Sequence, residues 1–143
     1  MGAWKEERKQ RIKYEKRSST KAFNIEIYEF KKFGKIKFSD LIVEYFEVDH
    51  KPVKYAYGFN FHHKRKKITI SGDTKPCNNL LKYAQNADVL LHEVFIDGAI
   101  KPLKGMRSRK TLHNVKAYHT SSNDVGKIAK ISNCKKLVLT HFV

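Results

Sequence analysis

Hydrophobic and polar residues alternate with a period of two through much of residues 22–72. This period is typical of strands that bury one face and expose the other. A polar, basic run at residues 62–66 predicts a hairpin turn between two such stretches. The pattern therefore predicts a β-meander over this region. The alternating or apolar stretches within it are 22–28, 36–38, 41–48 and 55–61.

The central stretch of the chain is an apolar, β-branched run at residues 67–71 that ends at Gly72, with Asp73 directly after it. This profile predicts a buried strand that delivers a carboxylate to the rim of a sheet, with Gly72 allowing a tight turn. A strand fixes the position of such a group, and the loop leaves it accessible to a ligand. Asp73 is therefore a candidate reactive or metal-binding group, and an ordinary turn is the alternative.

The pattern after the central strand changes to alternating helices and strands. Apolar residues at helical spacing predict one helix near 78–87 and a second near 122–132, the latter capped by a serine. Short apolar runs at 88–93 and 135–141 predict buried strands that end in polar residues. Residues 97–115 have no clear period, and we interpret them as a loop without readable pocket chemistry.

The chain is strongly basic, with 30 Lys and Arg against 14 Asp and Glu and a formal net charge of +16. Such a charge favours attraction to a polyanion such as RNA. A lysine-rich composition without a binding role is the alternative, because bidentate phosphate recognition favours arginine and most of these cations are lysines.

Length and composition predict one globular domain at residues 22–143, preceded by a charged leader or linker at residues 1–21. Cys77 and Cys134 lie far apart without metal-binding spacing, so we expect free thiols in a reducing compartment, the cytoplasm. No apolar run reaches the roughly 18 residues of a membrane span, and we expect no membrane partner.

Side chains able to bind a metal follow several of the predicted strands. Imidazoles together with one carboxylate are the ligand set of zinc and similar divalent metals. Seven histidines in 143 residues will also fall near strand ends by chance, so the alternative stays open. The candidates are His50, Asp73, His92, Glu93 and His141, with His119 just before the last predicted helix.

Six short motifs, in this order, carry a resemblance to a known family. They are Asp-His-x-Pro-Val, Tyr-Gly-Phe, Ile-Ser-Gly-Asp-Thr, Ala-Asp-Val-Leu-Leu-His-Glu-Val, His-Thr-Ser and Leu-Val-Leu-Thr-His-Phe. Over residues 40–142 they resemble the C-terminal half of metallo-β-lactamase-fold hydrolases, in the ribonuclease Z and arylsulfatase-like branch. The resemblance implies an α+β fold, half of an αββα sandwich, with a mostly antiparallel sheet and two helices on one face.

The resemblance also implies roles for individual residues. His50 would complete the shell of a first metal, Asp73 would bridge two metals, and His141 would complete the second. The ions would be two zinc ions, with manganese or iron as alternatives. His119 would stabilise the scissile group or protonate the leaving oxygen from the rim of the same cleft. His92 and Glu93 would orient a ligand through hydrogen bonds, with ordinary strand-end bonding as the alternative.

The sequence departs from this family in two respects. The signature His-x-His-x-Asp-His, which supplies the remaining metal ligands, is absent, so we expect a truncated, fragmentary or diverged protein that binds metal poorly alone. Only 22 residues separate His50 from Asp73, too few for the long tRNA-gripping arm of the ribonuclease Z branch.

The resemblance implies a metal-dependent hydrolase of ester, phosphodiester or sulfate ester bonds. The substrate would be a small molecule or a phosphodiester, and nucleic acid is not favoured. The alternative function is a non-catalytic, basic RNA-binding or interaction domain. Because half a sandwich leaves apolar sheet surface uncovered, we also expect self-association through that sheet.

Overall fold

The computed structural model describes residues 2–16, 27–98 and 101–143. Within these residues, six strands form one sheet in which neighbours in space are also neighbours in sequence. The strands are β1 (Phe33–Phe38), β2 (Leu41–Glu47), β3 (Tyr57–His63), β4 (Lys66–Ile70), β5 (Val89–Val94) and β6 (Leu137–Phe142). The helices are α1 (Gly2–Glu15), α2 (Asn78–Tyr83), α3 (Arg109–Lys116) and α4 (Ser122–Ile131).

Strands β1 to β4 form the predicted meander, since each pairs with the next in antiparallel orientation. Strand β5 adds to β4 in parallel, and β6 adds to β5 in parallel. The mostly antiparallel α+β architecture is thus confirmed. Residues 22–26, which make up most of the strand predicted at 22–28, lie outside the described residues, and residues 27–28 do not form a strand.

Helices α2 and α4 pack on one face of the sheet, as predicted. Phe46 and Leu90 from the sheet meet Leu80 of α2 and Ile128 of α4 in one buried cluster. Helix α2 ends earlier than the predicted 78–87, and Asn86 beyond it adopts a positive φ of 55°. Such a conformation cannot continue a right-handed helix.

The opposite face of the sheet is also apolar. Register and strand alternation put Tyr45 beside Phe59 on this face, and the Phe30 ring stacks on Tyr45 with centroids 4.2 Å apart. Large apolar side chains on this face, including Phe38 and Ile68, are exposed to solvent. Further members of the face are Ile36, Val43, Phe61, Ile70 and Leu91.

The prediction that residues 97–115 form a loop was wrong in its second half, where α3 forms. The helix begins after Ser108, whose hydroxyl oxygen accepts a hydrogen bond from the Thr111 amide. This cap is a sequence signal of a helix start. The helix was missed because it is short, basic and none of its residues is fully buried.

Helix α1 lies within the predicted charged leader. It is solvent-exposed along its length and carries i,i+4 contacts of Arg11 with Glu7 and Glu15. Among the described helices, none is both long and apolar enough to cross a membrane.

Candidate active site

Asp73 lies where the chain leaves β4 and is held there by a glycine. Gly72 has a positive φ of 63°, and a Cβ at this position would clash with the carbonyl oxygen of Tyr57. Only glycine therefore fits without strain. The Asp73 carboxylate oxygen Oδ2 lies 3.3 Å from Nε2 of His141.

His141 reaches Asp73 through an irregularity in β6. Glu93 of β5 pairs with Thr140 and Val94 pairs with Phe142, so His141 is the extra residue of a bulge. Its φ of 45° is unusual for a residue with a side chain. Bulges re-aim side chains at sheet edges and next to active sites. His141 therefore faces the site because of a local break in the strand and not because the strand ends there.

His50 follows β2 and is oriented by the loop before α4. Its Nδ1 lies 3.0 Å from the carbonyl oxygen of Tyr118. Because a carbonyl can only accept, Nδ1–H is the donor and Nε2 is the ring nitrogen left to bind a ligand. The ring centroid of His50 lies 5.0 Å from that of His119.

Glu93 organises the buried side of the site. It is only 1% exposed, and its Oε1 accepts hydrogen bonds from three groups. These are the amides of Thr74 and Thr120, at 3.2 and 3.0 Å, and Nδ1 of His119, at 3.1 Å. Within the described part of the chain, its Oε2 is buried without a hydrogen-bond partner. Glu93 thus links the loops carrying Asp73 and His119.

Burial is the main cause of the pKa shifts of Glu93 and His119. Desolvation raises the pKa of Glu93 to about 7, although the Thr120 and Thr74 amides oppose the shift by stabilising the carboxylate. Desolvation, followed by the proximity of His50, lowers the pKa of His119, while the Asp73 charge opposes this. His119 is therefore neutral at neutral pH, and Glu93 titrates near neutrality.

His92 is oriented away from the candidate ligands. Its Nδ1 donates to the backbone carbonyl of Glu93 at 2.7 Å, and burial lowers its pKa. Its Nε2 is buried without a partner in the described residues. Strand alternation puts its side chain on the helix-covered face with Leu90. This environment is that of a neutral core histidine.

Asp73 and His141 are the two candidate metal ligands that lie within contact distance of each other. The separation of 3.3 Å between Asp73 and His141 suits two ligands of one ion. However, no group of three His, Cys, Asp or Glu side chains among the described residues is arranged to hold a metal. The described residues thus provide a pair of donors and do not by themselves make a complete metal site.

The predicted site residues come together to different degrees. His119 lies between the other two histidines, with ring centroids 5.0 Å from His50 and 5.9 Å from His141. It is only 8% exposed, deeper than the cleft rim expected for it. Sequence reasoning missed the Tyr118 carbonyl that orients His50, because a backbone acceptor leaves no trace in residue identity.

The chain is similar in sequence to ribonuclease Z proteins and in structure to metallo-β-lactamase-fold proteins. No model of a known protein family matches the chain. It is 34% identical over 95 residues to ribonuclease Z of Mycolicibacterium gilvum, covering 66% of this chain and 32% of that protein. It is 37% identical over 90 residues to the zinc phosphodiesterase ELAC protein 2 homolog of Caenorhabditis elegans, covering 62% of this chain and 10% of that protein.

Solved structures give the same picture. The metallo-β-lactamase fold protein YhfI from Bacillus subtilis superposes with a TM-score of 0.61 at 20% identity, over 79% of this chain and 41% of that one. Human tRNase Z, short form, superposes with a TM-score of 0.55 at 26% identity, over 75% of this chain and 38% of that one. The chain spans about a third of the length of the ribonuclease Z relatives it matches.

Proposed function

We propose that this chain, which belongs to the metallo-β-lactamase-fold superfamily, provides one part of a metal-dependent hydrolase site. The observation that carries the proposal is the convergence of Asp73, His119 and His141, which come from three separate segments. Side chains so far apart in sequence have no packing reason to face one another. Histidines beside a carboxylate are the donor chemistry that zinc prefers, with manganese or iron as alternatives.

The proposed metal ligands from this chain are His50, Asp73 and His141. Because the described residues do not complete a site, the remaining donors would come from a complementary polypeptide segment carrying His-x-His-x-Asp-His. Bound divalent ions in such sites activate water and polarise the bond under attack. This division of ligands also explains why the chain alone would bind metal weakly.

His119 and Glu93 would handle a proton. When Glu93 is ionised, Nδ1–H of His119 donates to Oε1, which leaves Nε2 as the nitrogen that meets a substrate. To donate from Nε2 to a leaving oxygen, the imidazole must carry a second proton. A buried Glu93 carboxylate stabilises that cation, so Glu93 acts as the positioning residue and His119 as the catalytic acid.

The metal proposal is tested by measuring zinc content after equilibrium dialysis. We expect substoichiometric zinc for the chain alone and stoichiometric zinc once it is mixed with a ribonuclease Z segment carrying His-x-His-x-Asp-His. The Asp73→Asn variant should lose this uptake, while the His63→Asn control, whose histidine lies at the far end of β3, should keep it. Equal zinc in both variants would overturn the proposal.

The substrate bond is proposed to be an ester, phosphodiester or sulfate ester. A panel of nitrophenyl carboxylate, phosphodiester and sulfate substrates distinguishes these classes in the zinc-loaded assembly. The named relatives, ribonuclease Z and a zinc phosphodiesterase, favour the phosphodiester. Hydrolysis of none of them by an assembly that holds stoichiometric zinc would contradict a hydrolase of this kind.

A non-catalytic, basic RNA-binding or interaction domain is the second candidate, and the net charge of +16 favours it. Reading the DNA upstream of the Met1 codon discriminates between the two. An in-frame His-x-His-x-Asp-His favours the hydrolase, and a start codon with its own ribosome-binding site favours the non-catalytic domain.

We also propose self-association through the apolar sheet face opposite α2 and α4. Its exposed Phe38 and Ile68 give it the character of an unpaired packing surface. Light scattering should show that the Phe38→Thr and Ile68→Thr variants are less associated than the wild type. The Ile131→Thr control removes an equally exposed apolar side chain from α4 and should change nothing.

A further inference from the structure

We infer that α3 and the turn before it form a docking surface for the phosphate backbone of a polynucleotide. The inference rests on the proposed function for the claim that this polynucleotide is a substrate. The location of the docking surface is inferred from the charge, exposure and position of residues 101–116, and none of these residues belongs to the proposed metal site.

Charge is distributed unevenly in this segment. Residues 101–116 carry six Lys and Arg side chains, and no Asp or Glu occurs between Asp97 and Asp124. Residues 101–111 are all exposed, so the five cations within this range are available to a ligand. A dense row of one sign on an exposed segment raises the local concentration of polyanions. The cations are Lys101, Lys104, Arg107, Arg109, Lys110 and Lys116.

The helix arranges three basic groups along one side. Arg109, His113 and Lys116 are spaced at i, i+4 and i+7, which puts them on one face of a helix. They line a shallow cleft of about 250 Å³. Lys116 is fixed there by an ion pair with Asp97 and by its position 5.3 Å above the Phe95 ring.

The segment leads directly into the candidate active site. Helix α3 ends at Lys116, and the next residues supply the Tyr118 carbonyl that orients His50 and then His119 itself. Seven residues of helix span about 10 Å, roughly three nucleotides of one strand in a duplex. Phosphates bound along α3 would therefore bring an adjacent phosphodiester toward His119.

The spacing of the cations favours a repeating anion over a single one. A single phosphate is best bound by donors that converge on one point, whereas the basic side chains of residues 101–116 are distributed along a turn and a helix. The turn also exposes Leu103 and Met106, which makes an anionic lipid surface the competing ligand that the test must separate.

The test is fluorescence anisotropy with a labelled RNA of about 12 nucleotides, titrated without metal between about 50 and 200 mM salt. The variant Lys104→Gln, Arg107→Gln, Arg109→Gln removes three charges from the surface. The matched control Lys31→Gln, Lys64→Gln, Arg65→Gln removes three exposed charges elsewhere. We expect the first to weaken binding at least about tenfold and to reduce the salt slope by about 2, and the control to change binding less than about twofold.

Equal weakening by the control would overturn the inference, because binding would then follow net charge alone. Tighter binding of polyglutamate or of phosphatidylserine vesicles than of RNA would also overturn it, by assigning the surface to an acidic protein or a membrane. The RNA-binding assay needs neither metal nor hydrolysis. Failure of the mixed assembly to take up zinc would therefore refute the proposed function without changing the measured RNA affinities. Unchanged melting temperatures confirm that both variants are folded.

Discussion

Two carboxylates at opposite ends of β5 have opposite environments. Asp88 directly precedes the strand, and Glu93 lies near its end. Asp88 is surrounded by cations that match its charge, whereas Glu93 is buried among neutral donors. One end of β5 therefore has a carboxylate whose charge stabilises the fold, and the other end has a carboxylate whose charge costs free energy.

Asp88 joins three strands at the end of the sheet distant from the site. It accepts hydrogen bonds from the Lys67 amide at 2.9 Å, from Lys135 at 2.8 Å and from Lys66 at 3.4 Å. The ammonium of Lys135, followed by the Lys67 amide, holds the pKa of Asp88 far below its usual range. This is the environment of a structural ion pair.

Glu93 has the environment expected of a functional group. Its pKa is raised to about 7 by burial, and its hydrogen bonds orient a histidine instead of neutralising a cation. Groups that titrate near neutrality cluster at active sites, because proton transfer requires them to change charge there. The two ends of β5 thus differ both in burial and in charge partners, since Asp88 is partly exposed beside cations and Glu93 is buried without one.

The largest expected effect concerns Asp73, at the functional end. When the mixed assembly is supplied with zinc, Asp73→Ala should abolish zinc uptake and lower the rate of hydrolysis by more than about 100-fold. Replacing residues that only orient metal ligands already lowers metal affinity or activity by about 10–100-fold, and the loss of a ligand should exceed this. The same change should leave the melting temperature of the metal-free chain nearly unchanged, because Asp73 is 41% exposed. A large loss of thermal stability together with retained zinc would reverse the roles of the two ends.

The second effect concerns the pH dependence of stability at Glu93. The folded protein retains a proton that the unfolded chain releases between the ordinary pKa of 4.5 and the folded value of about 7. The free energy of unfolding therefore falls as pH rises through this window, by up to roughly 3 kcal/mol. Glu93→Gln keeps the acceptor oxygen but cannot ionise, so urea denaturation should show the variant gaining stability relative to the wild type as pH rises from about 4.5, with the gain levelling off above about pH 7.

Histidines act in the opposite direction and are present in both proteins. Burial lowers the pKa values of His92 and His119, so these residues reduce stability as pH falls below their ordinary value of 6.5. The difference between wild type and Glu93→Gln isolates the carboxylate. Parallel curves over the whole range would show that the pKa of Glu93 is the same in the folded and unfolded states, which would contradict the raised value.

The third effect has the opposite sign and belongs to Asp88. Because its folded pKa is depressed, its contribution to stability is present above the ordinary value of 3.8 and is lost as pH falls below it. Asp88→Asn should lower the melting temperature by several degrees at neutral pH, and the difference should shrink in acid. A constant difference at all pH values would mean that shape and not charge is responsible.

The smallest effect on stability is expected for the exposed Asp40–His63 pair, which lies at neither end of β5. Asp40 contacts His63 at 2.7 Å on the surface, and that hydrogen bond lowers the pKa of Asp40. Water already solvates both groups, so surface pairs of this kind contribute little. His63→Gln should leave the melting temperature and its pH dependence unchanged within error, which makes it the baseline for the Asp88 measurement.

Patterns along the chain were sufficient to predict the meander, the two helices and the candidate site residues. Alternation with a period of two reports on strands directly, because neighbouring side chains in a strand point to opposite faces. The helix spacing around Leu80 and Ile128 is equally direct, since both residues enter the core. The family resemblance could also be read from the sequence, because each of the six motifs is a short local segment and their order along the chain is visible directly.

The meeting of side chains from distant segments could be read from the tertiary structure alone. The contact of Glu93 with His119 joins residues 26 positions apart, and the bulge at His141 depends on the register between two parallel strands. Helix α3 left no core signature because none of its residues is fully buried. Such features arise from how separate segments pack together, and residue identity along one segment does not encode the position of another.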